Sequence, residues 1–249
     1  MMADCGVDRR WRDGLNNRLE EKYGRSEAGI ISSAVAFPPQ RPRPCHAKAE
    51  QQAQADFKAN LPKFVAQLKT AYPGAQVEVW SFDEHRLGLK PIVRRVWAPI
   101  GERPIAIVNH RYEWLYLYGF VHPQSGQTEW LILPRVNVAW FNQAFAAFAK
   151  ATGAGATKRI VLVLDGAGWH RSAKVIVKGI EMVFLPPYSP ELQPAERLWE
   201  LTDEPLVNRS FSTLDELESV LVQRCQVLLE MNDDIRARTN FHWWHYAAS

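Results

Sequence analysis

The chain has 249 residues, 47% hydrophobic and 23% charged, with 10 Trp, a formal net charge of +3 and a pI near 8.8. Those values suit a globular protein with one full core and exclude bulk disorder. The slight excess of base permits a polyanionic partner without requiring one.

No apolar run approaches the roughly 18 residues of a membrane helix. The N-terminus, with Asp4, Asp8, Arg9 and Arg10, lacks an apolar signal core, so a cytoplasmic protein is expected. Cys5, Cys45 and Cys225 form no CxxC pair, and Cys45-His46 has no second half at zinc-finger spacing. Free thiols in a reducing compartment are the plain reading.

In chain order, residues 9–21 have charged helical character without a convincing period. The Pro- and Arg-rich stretch 38–48 reads as an extended linker, which places a boundary within 37–50. Phe57, Leu61, Phe64, Leu68 and Tyr72 recur at helical spacing; Pro62 either kinks this helix or begins a second one, and Pro73-Gly74 ends it. The period then becomes two, with Val77, Val79 and Ser81 alternating against Glu78, Trp80 and Phe82, a strand that Asp83 closes. Residues 94–98 and 105–108 are further short strand candidates. Residues 114–121 and 128–133 form two strands around a hairpin-like turn.

Asn137 is placed to cap a helix with Phe141, Ala144, Phe145 and Phe148 on one face, closed by Gly153 and Gly155. The apolar run 159–165, ending in Asp165, reads as the most buried strand, and 182–186 as another. Ser212-Thr213-Leu214-Asp215 resembles a capping box that opens a helix with Leu214, Leu217, Leu221 and Leu228 inward. Several strands followed by strands interleaved with helices predict an α/β protein, a mixed central sheet flanked by helices.

Asp83 and Asp165 stand at strand ends, where side chains leave the core for a crevice. An Asp there also commonly caps a turn, so position alone does not decide between the two. A third acid lies in FLPPYSPELQPAERLW, residues 184–199. Pro190 and Pro194 each suit a helix first turn, and Glu191 and Glu196 are equal candidates on composition, since either could simply favour a helix N-terminus.

VLDGAGWHR (163–171), FLPPYSPELQPAERLW and the earlier FDEHRLGLKP (82–91), in that order, resemble the signature of the DDE transposases of the mariner-like insertion-sequence superfamily. The resemblance runs from about residue 41 to 209, and more loosely to the C-terminus. It implies an RNase H-like fold whose catalytic and metal-holding acids are Asp83, Asp165 and Glu196, leaving Glu191 a structural role. It further implies Mg²⁺ or Mn²⁺, two ions about 4 Å apart, activating the attacking oxygen and stabilising the leaving 3′-oxygen of a phosphodiester. The implied reaction is metal-dependent cleavage and strand transfer of an insertion sequence. Asp165 and Glu196 lie a little closer in sequence than is common in the family, and Gln193 stands where Asn is frequent.

Lys90, Arg94 and Arg95 form a basic cluster suited to phosphate contact, with solvated surface charge as the competing reading. Trp169, His170 and Arg171 follow Asp165 and are candidates for contact with a phosphate or flanking base, against plain packing. Glu84, His85 and Arg86 are candidates to orient a ligand. Tyr188 and Ser189 are read as shaping the Pro-rich turn. The aromatic run 238–246 favours docking onto the sheet or a partner over base stacking.

Two regions are expected: an unassigned segment 1–40, with a remnant of a DNA-binding region as one reading, and a catalytic domain over 41–249. The family carries paired helix-turn-helix domains ahead of the catalytic domain, and about 40 residues cannot hold them. Expected partners are therefore DNA (transposon ends and target), a second copy of the chain, and a separately encoded DNA-binding segment. Two alternatives stand beside this reading: a catalytically silent fragment that binds DNA or a full-length transposase as an inhibitor, and an RNase H-like nuclease without strand transfer.

Overall fold

A computed structural model describes residues 47–108, 111–166, 177–240 and 243–244. The chain divides into a unit Met1–Lys48, of which only the last two residues are described, and a unit Ala49–Ser249 that carries everything below. The expectations for residues 9–21 and for most of 38–48 fall outside the described residues.

Helix α1 (Gln51–Ala71) buries Leu61, Val65 and Leu68 and continues through Pro62. An interior proline removes a backbone bond at a cost of about 3 kcal/mol; the buried stripe on either side of Pro62 holds the helix together across it. Strand β1 (Gln76–Gly88) runs 13 residues, so Asp83 lies within it rather than at its end. Strands β2 (Trp114–His122) and β3 (Gln127–Leu133) form the expected hairpin. No strand forms at 94–98 or 105–108: the described residues between β1 and β2 lack a ladder partner, and Val96, Trp97, Ile105 and Ile107 are exposed. An apolar alternation becomes a strand only when another strand satisfies its backbone.

Helix α2 (Val138–Thr152) starts where Asn137 Oδ1 accepts the Trp140 N–H at 2.9 Å and ends at Gly153, whose φ of 73° is left-handed. Strands β4 (Lys158–Leu164) and β5 (Ile180–Phe184) follow. Two 3-10 turns, Pro190–Leu192 and Pro194–Leu198, each begin with proline. They lead into helix α3 (Trp199–Asp203). Helix α4 (Leu214–Leu229) begins one residue later than the capping-box reading placed it. Thr213, not Ser212, is the cap: its hydroxyl accepts the Glu216 N–H at 3.2 Å while the Glu216 carboxylate accepts the Ser212 N–H at 2.8 Å. Helix α5 (Asn232–Thr239) is the last of the described elements.

The sheet order is β3-β2-β1-β4-β5, antiparallel across β3-β2-β1 and parallel across β1-β4-β5. The expected mixed sheet flanked by helices is what the chain forms. On one face Trp80, Phe82, Tyr118, Phe120 and alternate residues of β4 meet Phe141, Phe145 and Phe148 of α2. The rings interlock, with Phe120 on Phe148 at 4.1 Å and Phe82 edge-on to Phe145 at 5.1 Å. The opposite face carries two clusters. One joins α1 to Val79, Val161, Val163 and Trp244; the other joins α4 to Leu87, Leu115, Leu117 and Val121. Trp244 is fully buried and Trp243 meets Phe57 edge-on at 5.8 Å, so these two residues of the aromatic tail dock as expected. Cys225 is a buried free thiol, its pKa pushed by burial up to about 12. Cys5 and Cys45 lie outside the described residues.

Phe145 touches Phe82, Phe120 and Phe141 and is fully buried. Phe145→Ala is expected to lower stability by about 3–5 kcal/mol, read from the midpoint of urea unfolding at unchanged slope.

Candidate active site

The site is built at a step in the sheet. β1 pairs with β4 only as far as Ser81, opposite Val163, and then continues along β2 alone. Two residues beyond that last pair, on the same face by alternation, stand Asp83 on β1 and Asp165 just past the end of β4. Adjacent strands lie about 4.8 Å apart, so equal register brings the two backbones abreast and turns both side chains to one face.

The third acid arrives from far along the chain. Gln193, almost fully buried, accepts a hydrogen bond from the Ser81 hydroxyl and donates its amide N–H to the Phe82 carbonyl at 2.8 Å. Ala195 N–H donates to Ser81 Oγ at 3.3 Å. This lock pins the turn Pro194–Leu198 onto β1, and Glu196 sits in that turn. Asp83, Asp165 and Glu196 line one cleft of about 310 Å³, together with Gly166, Gln193 and residues 185–190. The sequence singled out these acids; it marked Gln193 only as standing where the family often has Asn, with no sign of the bonds it makes to β1.

Glu191 turns away to structure. Its carboxylate accepts the side-chain N–H of Gln54 on α1 at 2.6 Å, and Ser189 Oγ accepts from the same amide at 3.0 Å. Ser189 also donates to the Pro187 carbonyl at 3.2 Å, shaping the turn as expected. Tyr188 is half-exposed at the cleft with a φ of 58°, a conformation that non-glycine residues rarely adopt.

The electrostatics are unfavourable by themselves. Burial raises the Asp83 carboxyl well above the ordinary range, and Glu196 and Glu84 push it further; the Trp199 N–H at 3.1 Å works against them. Glu196 is also raised, chiefly by burial and in part by Asp165, with His85 opposing. Hard carboxylate oxygens crowding one cleft are the donor set that Mg²⁺ or Mn²⁺ takes, and a divalent cation offsets the repulsion. Among the described residues no three His, Cys, Asp or Glu side chains are gathered tightly enough to hold one ion together. A two-ion site does not need that, because each Mg²⁺ uses one or two carboxylates and completes its shell with phosphate and water oxygens. The donor set fits.

The basic candidates separate. Arg94 is engaged: its guanidinium reaches Asp203 Oδ2 at 3.3 Å, while Asp203 Oδ1 lies 2.8 Å from His85 Nε2. The backbone N–H of Arg94 also donates to Asn208 Oδ1 at 3.0 Å. Lys90 and Arg95 are exposed, and Lys90 lines a smaller cleft of about 170 Å³ with His85 and Arg209. Arg86 lies over the Trp114 ring at 5.3 Å. Trp169, His170 and Arg171 fall outside the described residues.

With this geometry in view, comparison with known proteins gives a consistent result. The family model for the DDE superfamily endonucleases matches residues 78–218, and the chain belongs to that family. A protein of Sinorhizobium fredii (strain NBRC 101917 / NGR234), "Uncharacterized protein y4pE/y4sA", is 38% identical over 106 residues, covering 42% of this chain and 77% of that protein. Among solved structures, the Mos1 transposase paired-end complex with the left transposon end matches with a TM-score of 0.58 at 12% identity. That match covers all of this chain and 82% of the other. The Mos1 mariner paired-end complex with Mn matches at 0.59 and 12% identity, over 100% and 81%. At such identity the likeness speaks for the fold, which is RNase H-like.

Because the folded state raises the Asp83 pKa, ionising it opposes folding. In EDTA the protein is expected to gain stability as pH falls from neutral through the raised value, levelling off below the ordinary carboxylate range of about 4. Asp83→Asn should flatten that slope and stabilise the metal-free fold at pH 7 by about 1 kcal/mol, checked by urea unfolding across pH.

Proposed function

We propose that this protein is a transposase: it cleaves DNA strands and joins the freed 3′-ends to target DNA, with Asp83, Asp165 and Glu196 as its catalytic, metal-holding acids. The observation that carries this reading is the convergence of those three carboxylates, drawn from residues 83, 165 and 196, on one open cleft of a DDE-family endonuclease. The Mos1 structures that share the fold include a complex with a transposon end and a strand transfer complex, and we extend those substrates to this chain.

The residues divide the work. Asp83 and Asp165 reach the cleft from neighbouring strands at the step in the sheet, and Glu196 reaches it from the Pro-rich turn. Divalent ions held there supply an activated attacking oxygen and charge stabilisation at the leaving 3′-oxygen. The protein's part is to hold the carboxylates fixed before substrate arrives, so that little reorganisation remains for the reaction itself; bound cations would favour their ionised form. Lys90 and Arg95, both exposed on the stretch that follows β1, are assigned to phosphates flanking the scissile one.

We assign the active form to two copies of the chain. Val93, Trp97, Ile100, Ile105, Ile107 and Tyr112 between β1 and β2 are all largely exposed, and an apolar patch of that kind on a basic arm marks a contact surface.

Purified protein is expected to nick duplex DNA carrying its own element's ends in Mg²⁺ or Mn²⁺. Asp165→Asn should lower that rate by about 10²–10³-fold, the equivalent of several kcal/mol of lost transition-state stabilisation. A rate untouched by Asp165→Asn overturns the assignment, and cleavage without any joining product reduces it to a nuclease. Trp97→Ser with Ile100→Ser should shift the protein–DNA complex from two copies to one in sedimentation velocity.

A further inference from the structure

The first acid of the cleft is held by a neighbour that is itself held. Asp83 Oδ2 accepts the indole N–H of Trp199 at 3.1 Å. The indole reaches it because the residue opposite Asp83 on β2 is Gly119. A Cβ at that position would stand 2.9 Å from Trp199 Cη2 and 3.1 Å from Trp130 Cζ3, so any side chain there displaces the ring. On the indole lies the imidazole of His85, nearly parallel, with ring centroids 4.8 Å apart at 18°. His85 Nε2 is tied to Asp203 Oδ1 at 2.8 Å, and Asp203 Oδ2 takes Arg94 at 3.3 Å. Trp199 and Asp203 are the first and last residues of the same short helix, so the ring and the anchor of its clamp come from one rigid turn.

This arrangement does more than fill space. The terminal torsion of an aspartate is broad, and a carboxylate with two unrestrained oxygens sweeps a wide range of orientations. The indole N–H on Oδ2, together with the Glu84 backbone N–H that also bonds the carboxylate, sets the plane of the group and leaves its remaining lone pairs for a cation. Partners of this kind, which touch a ligand rather than the ion, set metal affinity by about 10–100-fold.

We propose that Trp199 is a positioning residue for Asp83, orienting its carboxylate for a divalent cation, and that the His85–Asp203–Arg94 chain keeps the indole in register. The inference rests on the cation site assigned above to Asp83, Asp165 and Glu196. It gives His85 and Arg94 a task in the metal site, and it gives Gly119 a reason to be glycine.

The test is Mn²⁺ affinity of the full chain, read as free Mn²⁺ by electron paramagnetic resonance, without DNA. Trp199→Phe keeps the aromatic ring and removes the N–H; its Mn²⁺ Kd is expected to rise about 10–100-fold. Cleavage by the same variant should return at high Mn²⁺, whereas Asp83→Asn stays inactive at any concentration. A packing role alone moves the unfolding midpoint and leaves the Kd in place. If Trp199→Phe binds Mn²⁺ as the parent does while Asp165→Asn does not, the positioning role is overturned. If Asp165→Asn itself leaves the Kd unchanged, the cation site is what fails. Should Trp199→Phe not fold, His85→Phe decides the matter. It retains the stack and cuts the tie to Asp203, so a Kd at least about threefold higher supports the clamp and an unchanged Kd overturns it.

Discussion

Gln193 joins two parts of the molecule that the chain keeps far apart. Where β4 stops, β1 is left with the Ser81 hydroxyl and the Phe82 carbonyl facing the interior without a strand to bond them. A buried carbonyl left unpaired costs about 1–3 kcal/mol, so something polar has to arrive. One side-chain amide meets both requirements, donating to the carbonyl and accepting from the hydroxyl. Because the amide is planar and its partners sit on a rigid strand, the bonded geometry leaves the following turn almost no freedom. Glu196, three residues on, is thereby carried to the cleft. The same seam separates the two apolar clusters on this face, one under α1 and one under α4.

The cost of that convergence is electrostatic. Burial and repulsion between carboxylates act together on Asp83 and Glu196, and what opposes them at Asp83 is two neutral donors, the indole N–H of Trp199 and the backbone N–H of Glu84. Local conflict of this sort is expected where function and folding ask for different residues, and the rest of the structure must absorb it. Here the aromatic cluster on the opposite face does so. Phe82, next to Asp83 in the chain, faces Tyr118, Phe120, Phe141 and Phe145 and anchors β1 at the point where its other side carries the charge.

The basic residues after β1 illustrate how one motif divides between structure and substrate. Arg94 looks from composition like its neighbours Lys90 and Arg95, yet its guanidinium is drawn to Asp203. Its backbone is held twice by Asn208, by N–H to Oδ1 at 3.0 Å and by carbonyl from Nδ2 at 3.1 Å. Asn208 makes those bonds from a left-handed conformation, φ 58°, that suits asparagine better than most residues. The root of the arm is therefore fixed to the catalytic unit, while its apolar side chains further out have no covering.

Much of the molecule was legible before folding. The helix under Asn137 and Gly153, the β2–β3 hairpin and the buried β4 follow from period and caps, because local spacing alone decides which face of an element is apolar. That Asp83, Asp165 and Glu196 would meet at one cleft was legible by a different route. Resemblance in FDEHRLGLKP, VLDGAGWHR and FLPPYSPELQPAERLW selected Glu196 over Glu191, which composition could not separate. What waited for tertiary structure were pairings between distant residues. Whether 94–98 and 105–108 become strands depends on a partner, which they lack. How far β1 extends past Asp83 depends on β2. The roles of Gln193, Trp199 and Gly119 depend on what packs across from them more than 70 residues away. A side chain's own identity sets what it can bond; only the folded chain decides which partner is within reach.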